Sequence, residues 1–115
     1  MERADCIFCK IARGELPCEL LYQDNQVIAF EDARPQAPVH FLVIPRKHIS
    51  SLDTAEADEE SLLGHIMLIA AKVARDKGIA VTGYRQVVNC GANGGQFIFH
   101  LHLHILGGRR MRHMG

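Results

Sequence analysis

The stretch FHLHLHIL, Phe99 to Leu106, sets His100, His102 and His104 at alternate positions. In a β-strand, residues two apart point to the same face. The residues between them, Leu101, Leu103 and Ile105, are apolar, as is Phe99. A helix would scatter the imidazoles around most of its circumference, so the alternation predicts a strand over 99–106. One face of it is buried, and the other carries a row of titratable nitrogens.

Before that strand lies CGANGGQ, a glycine-rich turn, preceded by YRQVVN, an expected strand over 84–89. From about Asp58 to Lys77, Leu62, Ile66, Ile69 and Val73 recur at helical spacing. A second row of Leu63, Met67, Ala70 and Ala74 widens the apolar stripe. Acidic residues lead this helix and Gly78 ends it, as dipole and capping preferences require. Upstream, HFLVIP reads as a buried strand stopped by Pro45, after a proline-broken loop ARPQAPV. CELLYQ and QVIAFED read as a hairpin turning at Asp24 and Asn25. Cys6 to Arg13 reads as a short helix ended by Gly14 and Pro17. Helices segregated from hairpin-connected strands predict an α+β fold, with a mostly antiparallel sheet of about five strands, one long helix and one short one.

The 115 residues are expected to form a single domain over 1–115. Thirteen basic residues balance thirteen acidic ones, so no global field grips nucleic acid or an anionic membrane. A local basic cluster, RRMRH at 109–113, reads as a solvated tail. No apolar run approaches the ~20 residues of a membrane span. With no secretory apolar core at the start, the expected location is the cytoplasm and the four cysteines are expected to stay reduced. Arg46, Lys47, His65 and His113 are expected to face water.

Three aligned histidines admit few chemistries. The outer two would lie roughly 13 Å apart along an extended strand, too far to share one tetrahedral zinc. A solvated, histidine-rich face is the plain alternative. The third reading is catalysis on an anion. A neutral imidazole is a nucleophile near pH 7, and its neighbours donate hydrogen bonds or protons. The turn before the strand would add backbone N–H groups as an anion nest. No acidic cluster beside these motifs suggests magnesium, so no metal is expected to be required for catalysis. Cys6 and Cys9 form a C-x-x-C pair without the surrounding pattern of a thioredoxin-like motif.

HLHLHIL resembles the signature of the histidine triad (HIT) superfamily. The likeness runs from about residue 5 to residue 111, through CIFCKIARGELPCELLYQDNQVIAFEDARPQAPVHFLVIPRKHIS, GYRQVVNCGANGGQ and HILGGRRM. PQAPVHFLVIP and LGGR resemble the Hint branch. The resemblance implies an α+β HIT-like fold, with subunit sheets joined across a homodimer. It implies a purine nucleoside phosphoramidase, which cleaves the P–N bond of a nucleoside 5′-monophosphoramidate to release an amine and then AMP or GMP. His102 would be the nucleophile, forming a nucleotidyl-histidine, with its far nitrogen fixed by a backbone carbonyl. His104 and Asn89 would bond the phosphate, His40 and His100 would orient His102 and handle protons, and Gly95 and Gln96 would flank the phosphate. Asp32 would accept hydrogen bonds from the ribose diol, and Phe8, Ile11, Phe30, Ala33 and Leu42 would hold the base. Some relatives with this cysteine pair bind a structural zinc, which here would be held by Cys6, Cys9, His48 and His100. Two departures stand out: Phe97 replaces a serine usual in the family, and the tail ends RHMG instead of Trp-Pro-Pro-Gly. The alternatives are a dinucleoside polyphosphate hydrolase, as in the Fhit branch, and a nucleotide- or zinc-binding module with weak catalysis.

Overall fold

A computed structural model describes the chain except for Met1, Glu2 and Ala4. The elements follow the expected order: α1 (Ile7–Ala12), β1 (Leu20–Gln23), β2 (Val27–Glu31), β3 (Val39–Pro45), α2 (Glu60–Asp76), β4 (Tyr84–Val87) and β5 (Leu103–Gly107). Two short 3₁₀ turns, Leu52–Thr54 and Ala57–Glu59, lead into α2. The five strands form one antiparallel sheet in the order β1-β2-β3-β5-β4. No helix among the described residues is long and apolar enough to cross a membrane.

Strand alternation gives the sheet two different faces. Val27, Ala29, Phe41, Val43, Leu103 and Ile105 pack against Ile66, Ile69, Ala70 and Val73 of α2 to form the main core. Ile28, Phe30, Leu42 and Ile44 point the other way and pack against Phe8 and Ala12 of α1. Burying a large aliphatic or aromatic side chain contributes about 1.5–3 kcal/mol, so the main core anchors the sheet on α2. The short α1 covers only part of the second face, and the uncovered part carries the histidines. The stripe on α2 is narrower than expected, because Met67 stays exposed; its neighbour Leu68, outside the expected stripe, is exposed as well.

The histidine strand is shorter than its pattern predicts. Residues 98–100 bend, and the ladder begins only at Leu103. Two local bonds compete with sheet pairing. The Leu101 N–H donates to the Ile49 carbonyl at 2.6 Å, and the carbonyl of His100 is taken by a side chain, His102 Nδ1, at 2.7 Å. The inward alternation holds only from Leu101 onward: Leu101 is buried in the α2 core, but Phe99, expected on the same buried face, is half exposed because it lies in the bend.

Two of the residues expected in water are instead structural. Arg46 donates to the carbonyls of Asp24 (2.7 Å) and Ala12 (2.6 Å) and to Gln23 Oε1 (2.9 Å), tying α1 to the β1–β2 hairpin. His65 Nε2 lies 2.7 Å from Asp24 Oδ2, docking α2 on the same turn. Burial alone would raise the Asp24 pKa, but bonds from His65, the Gln26 and Val27 backbone and Tyr22 hold it well below the usual carboxylate range. Lys47 and His113 are exposed as expected, although Lys47 pairs with Glu59 at 2.7 Å.

Candidate active site

A cleft of about 1390 Å³ opens on the second face of the sheet. It is lined by Phe8 and Ile11 of α1, Phe30 of β2, Asp32 and Ala33, and His40 and Leu42 of β3. Asn89, Gly95, Phe97, His102 and His104 close its other side. The strand register explains the convergence. Leu42 pairs with His104 and His40 with Leu106, so His40, Leu42 and His104 share one face. Apolar residues occupy one end of the cleft and imidazoles the other.

Hydrogen bonds fix the tautomer of each cleft histidine. His102 Nδ1 faces the His100 carbonyl, which can only accept, so Nδ1 carries the proton and Nε2 keeps its lone pair. The Gln36 N–H donates to His40 Nδ1 at 3.0 Å, so the proton of neutral His40 sits on Nε2. That nitrogen lies 3.0 Å from His104 Nδ1 and 3.3 Å from Asp32 Oδ2, both of which accept. The proton of His104 is thereby placed on its Nε2. One cleft imidazole thus offers a lone pair and its neighbour, 5.0 Å away between ring centroids, offers an N–H.

Burial keeps these rings neutral. It lowers the pKa of His102, against the His100 carbonyl and Asp32, which favour protonation. It lowers His40 in the same way, opposed by Asp32 and Glu31. His104 is lowered to about 4 by burial, with repulsion from His102 and His40 adding to it. A depressed pKa leaves His102 unprotonated, hence nucleophilic, across the neutral range.

His100 is placed differently from the other two. It is fully buried and is absent from the cleft lining; its Nδ1 lies 3.3 Å from Cys6 Sγ and 3.5 Å from Cys9 Sγ. His48 Nδ1 lies 3.4 Å from Cys9 Sγ. The His100 Nε2 faces the Pro45 carbonyl at 2.8 Å, so its proton is there and Nδ1 is the lone-pair nitrogen. Backbone N–H groups donate to both sulfurs, Cys9 to Cys6 Sγ and Arg3 to Cys9 Sγ, each at 3.3 Å. The four ligand atoms lie within 4.8 Å of one another. Two sulfurs held by N–H donors and two imidazoles form a donor set that fits zinc. Asp32, His40 and His104 also converge. That trio fits a metal poorly, because the Gln36 N–H on Nδ1 keeps a proton on the only His40 nitrogen facing the others.

The glycine turn also differs from expectation. The N–H groups of Gly94, Gly95 and Gln96 are spent inside it, on the carbonyls of Gly91 and Ala92. Gln96 is buried; its side chain accepts from the Gly91 N–H at 2.9 Å and donates to the Ser50 carbonyl at 2.8 Å and the Ile98 carbonyl at 3.1 Å. It braces the turn from within and does not line the cleft. Gly95, at φ +82°, adopts the left-handed conformation that favours glycine and does reach the cleft. Asn89 Nδ2 donates to the Gly94 carbonyl at 2.7 Å, which leaves its second N–H for a ligand. Phe97 projects at the rim, 92% exposed. Pro17, Cys18 and Ile98 line the apolar end as well, and nothing in their local sequence marks them.

Comparison with known proteins agrees with this picture. Residues 5–114 match the family model described as "Scavenger mRNA decapping enzyme C-term binding". A HIT-like protein of Synechococcus elongatus is 48% identical over 107 residues, 93% of each chain. A second HIT-like protein, from Synechocystis, is 51% identical over 105 residues, 91% of each chain. The structure of a histidine triad protein from Clostridium difficile superposes with a TM-score of 0.96, at 47% identity and over 100% of both chains. That of a HIT family hydrolase from Legionella pneumophila gives 0.92 at 46% identity, over 94% of this chain and 96% of that one. By motif, fold and likeness over nearly its whole length, this chain belongs to the histidine triad superfamily.

Proposed function

We infer that this protein is a purine nucleoside phosphoramidase of the Hint type. The observation that carries this reading is the 2.7 Å contact between His102 Nδ1 and the His100 carbonyl, which leaves a neutral Nε2 in the cleft. The base of AMP or GMP lies against Phe8, Ile11, Phe30, Ala33 and Leu42, a slot that grips either purine by burial. Asp32 accepts from the ribose hydroxyls; its Oδ1 already takes the Arg34 N–H at 2.8 Å, but a carboxylate has lone pairs to spare. His104 and Asn89 donate to the phosphate.

In the first step His102 Nε2 attacks phosphorus. The P–N bond breaks, its electron pair goes to nitrogen, and the amine takes up a proton from solvent, while the Nε2–H of His104 stays hydrogen-bonded to the phosphate. Water then attacks the nucleotidyl-histidine, loses a proton to solvent, and releases the nucleoside monophosphate with His102 restored. The four-ligand cluster of Cys6, Cys9, His48 and His100 is read as a structural zinc site that ties α1 to the histidine segment. The free edge of β4 and the exposed Met67 and Leu68 of α2 support a homodimer.

The test is turnover of adenosine 5′-phosphoramidate, with quenched reactions searched by mass spectrometry for adenylate on the protein. Wild type should release AMP, and His102→Ala should lose at least about a thousandfold in kcat while keeping its fold. Turnover of diadenosine polyphosphate faster than that of the phosphoramidate would favour the Fhit-like alternative. Unimpaired turnover by His102→Ala would rule the mechanism out.

A further inference from the structure

A second cavity, of about 490 Å³, lies beyond His104 on the same sheet face. It is lined by Gln36, Arg85, Val87, Leu106, Arg109, Met111, Arg112 and His113. Register decides its relation to the cleft. Val87 pairs with His104 and Arg85 with Leu106, so the side chains of Val87, Arg85 and Leu106 continue the face that His104 begins. With strands ~4.8 Å apart and a rise of ~3.3 Å per residue, the Cα of Arg85 falls roughly 8 Å from that of His104. The loop carrying Gln36 lies between the two spaces, since Pro35 and Pro38 line the first and Gln36 the second.

The charge of this cavity is one-sided. Three guanidinium groups line it and no carboxylate does. Among the described residues, none of the three pairs with an acid. Arg85 donates to the His113 carbonyl, and Arg109 donates to the carbonyls of Gln36 (3.0 Å) and Arg110 (3.2 Å). Backbone carbonyls hold these groups in place without neutralising them. In a chain of zero formal net charge, this clustering is local. The nucleoside end of the cleft lies on the opposite side of His104, over β2 and β3. A substrate whose phosphorus sits at His102 and His104 would therefore extend its leaving group toward the arginines.

We propose that this basic cavity is a leaving-group subsite that selects nucleotides conjugated to an acidic amine, one bearing a carboxylate or phosphate near the scissile nitrogen. The proposal rests on the phosphoramidase reading and adds its substrate class. Arg85 and Arg112 supply the charge; Arg109 also holds the Gln36 loop, whose N–H sets the His40 tautomer.

The experiment uses the full chain and four synthetic adenosine 5′-phosphoramidates in matched pairs: glycine against glycinamide, and O-phosphoethanolamine against ethanolamine. The expected result is a kcat/KM about tenfold higher for the acid than for its neutral twin in at least one pair, shrinking as salt rises. The pair that shows it tells carboxylate from phosphate. In Arg85→Gln/Arg112→Gln the acid-to-neutral ratio should fall to within about twofold, and because it is a ratio within one variant, it is insensitive to a general loss of activity. Equal rates within both pairs would overturn the proposal, as would a ratio unchanged by the double substitution. If wild type cleaves none of the four, the phosphoramidase reading has failed. Calorimetric affinities of the same pairs then decide the subsite alone: tighter binding of an acid supports it and equal binding refutes it.

Discussion

The carbonyl oxygen of His100 lies 2.7 Å from Nδ1 of His102, while the imidazole of the same His100 is buried against Cys6 and Cys9. One residue therefore belongs to two sites, by its side chain to the cysteine cluster and by its backbone to the proposed nucleophile. What holds the imidazole also holds the carbonyl that sets the nucleophile's tautomer.

That linkage gives a first prediction. Cys6→Ser/Cys9→Ser should purify without the zinc that wild type is expected to carry at one atom per chain, as elemental analysis would read. Its unfolding free energy should fall by about 2–4 kcal/mol, since a buried cluster loses its centre. Turnover should fall as well, although no cysteine of the pair lines the cleft. Wild type purified free of metal, with full stability and activity, would remove the zinc from the account.

Neutral, buried imidazoles make stability depend on pH with a defined sign. His104 titrates at about 4 in the folded protein against an ordinary value of 6.5, and His40 is lowered in the same direction. Below pH 6.5 the unfolded chain takes up protons that the native state refuses, so stability falls as pH drops from about 6.5 to about 4. Above 6.5 both states are neutral and these groups contribute no slope. Urea midpoints measured across that range should show the loss, and His104→Asn should reduce it. A wild-type midpoint flat between pH 4 and 6.5 would contradict the burial argument.

Asp32 can be tested through the ligand. Asp32→Asn should weaken AMP binding by about 1–2 kcal/mol, roughly five- to thirtyfold in Kd. The same substitution should cost little against 2′,3′-dideoxy-AMP, which lacks the diol. An equal loss with both ligands would mean that the carboxylate acts elsewhere, through its 3.3 Å approach to His40.

Gln96 and Phe97 are adjacent and should behave in opposite ways. Gln96→Ala removes three bonds from a buried amide and strands the Gly91 N–H, which should destabilise the fold by about 1–3 kcal/mol in urea unfolding. Phe97→Ser changes a side chain that is almost wholly exposed, so stability should move by less than about 0.5 kcal/mol. A hydroxyl at the cleft rim adds a donor near the departing group, and kcat for phosphoramidate should rise several-fold. A drop in kcat would assign Phe97 a contact with substrate that its exposure does not reveal.

The sequence by itself determined the elements, their order and the two-faced sheet. Those features follow from hydrophobic period, and period is local: Leu101, Leu103 and Ile105 face the helix because alternate residues of a strand must. It also determined which residue types gather in the cleft, since the motif and the Hint-like segments name His40, Asp32 and His102 at readable positions. The resemblance left His100 shared between the cleft and the cysteines, and only the tertiary structure decided between them. Alternation treats the three histidines alike, yet a bend before Leu103 sends His100 to the cysteines and leaves His102 and His104 in the cleft. The inward turn of the Gln96 amide, the docking of His65 on Asp24, and the face shared by Arg85 and His104 are likewise tertiary. Each depends on a partner distant in sequence, and such pairings leave no periodic trace in the chain.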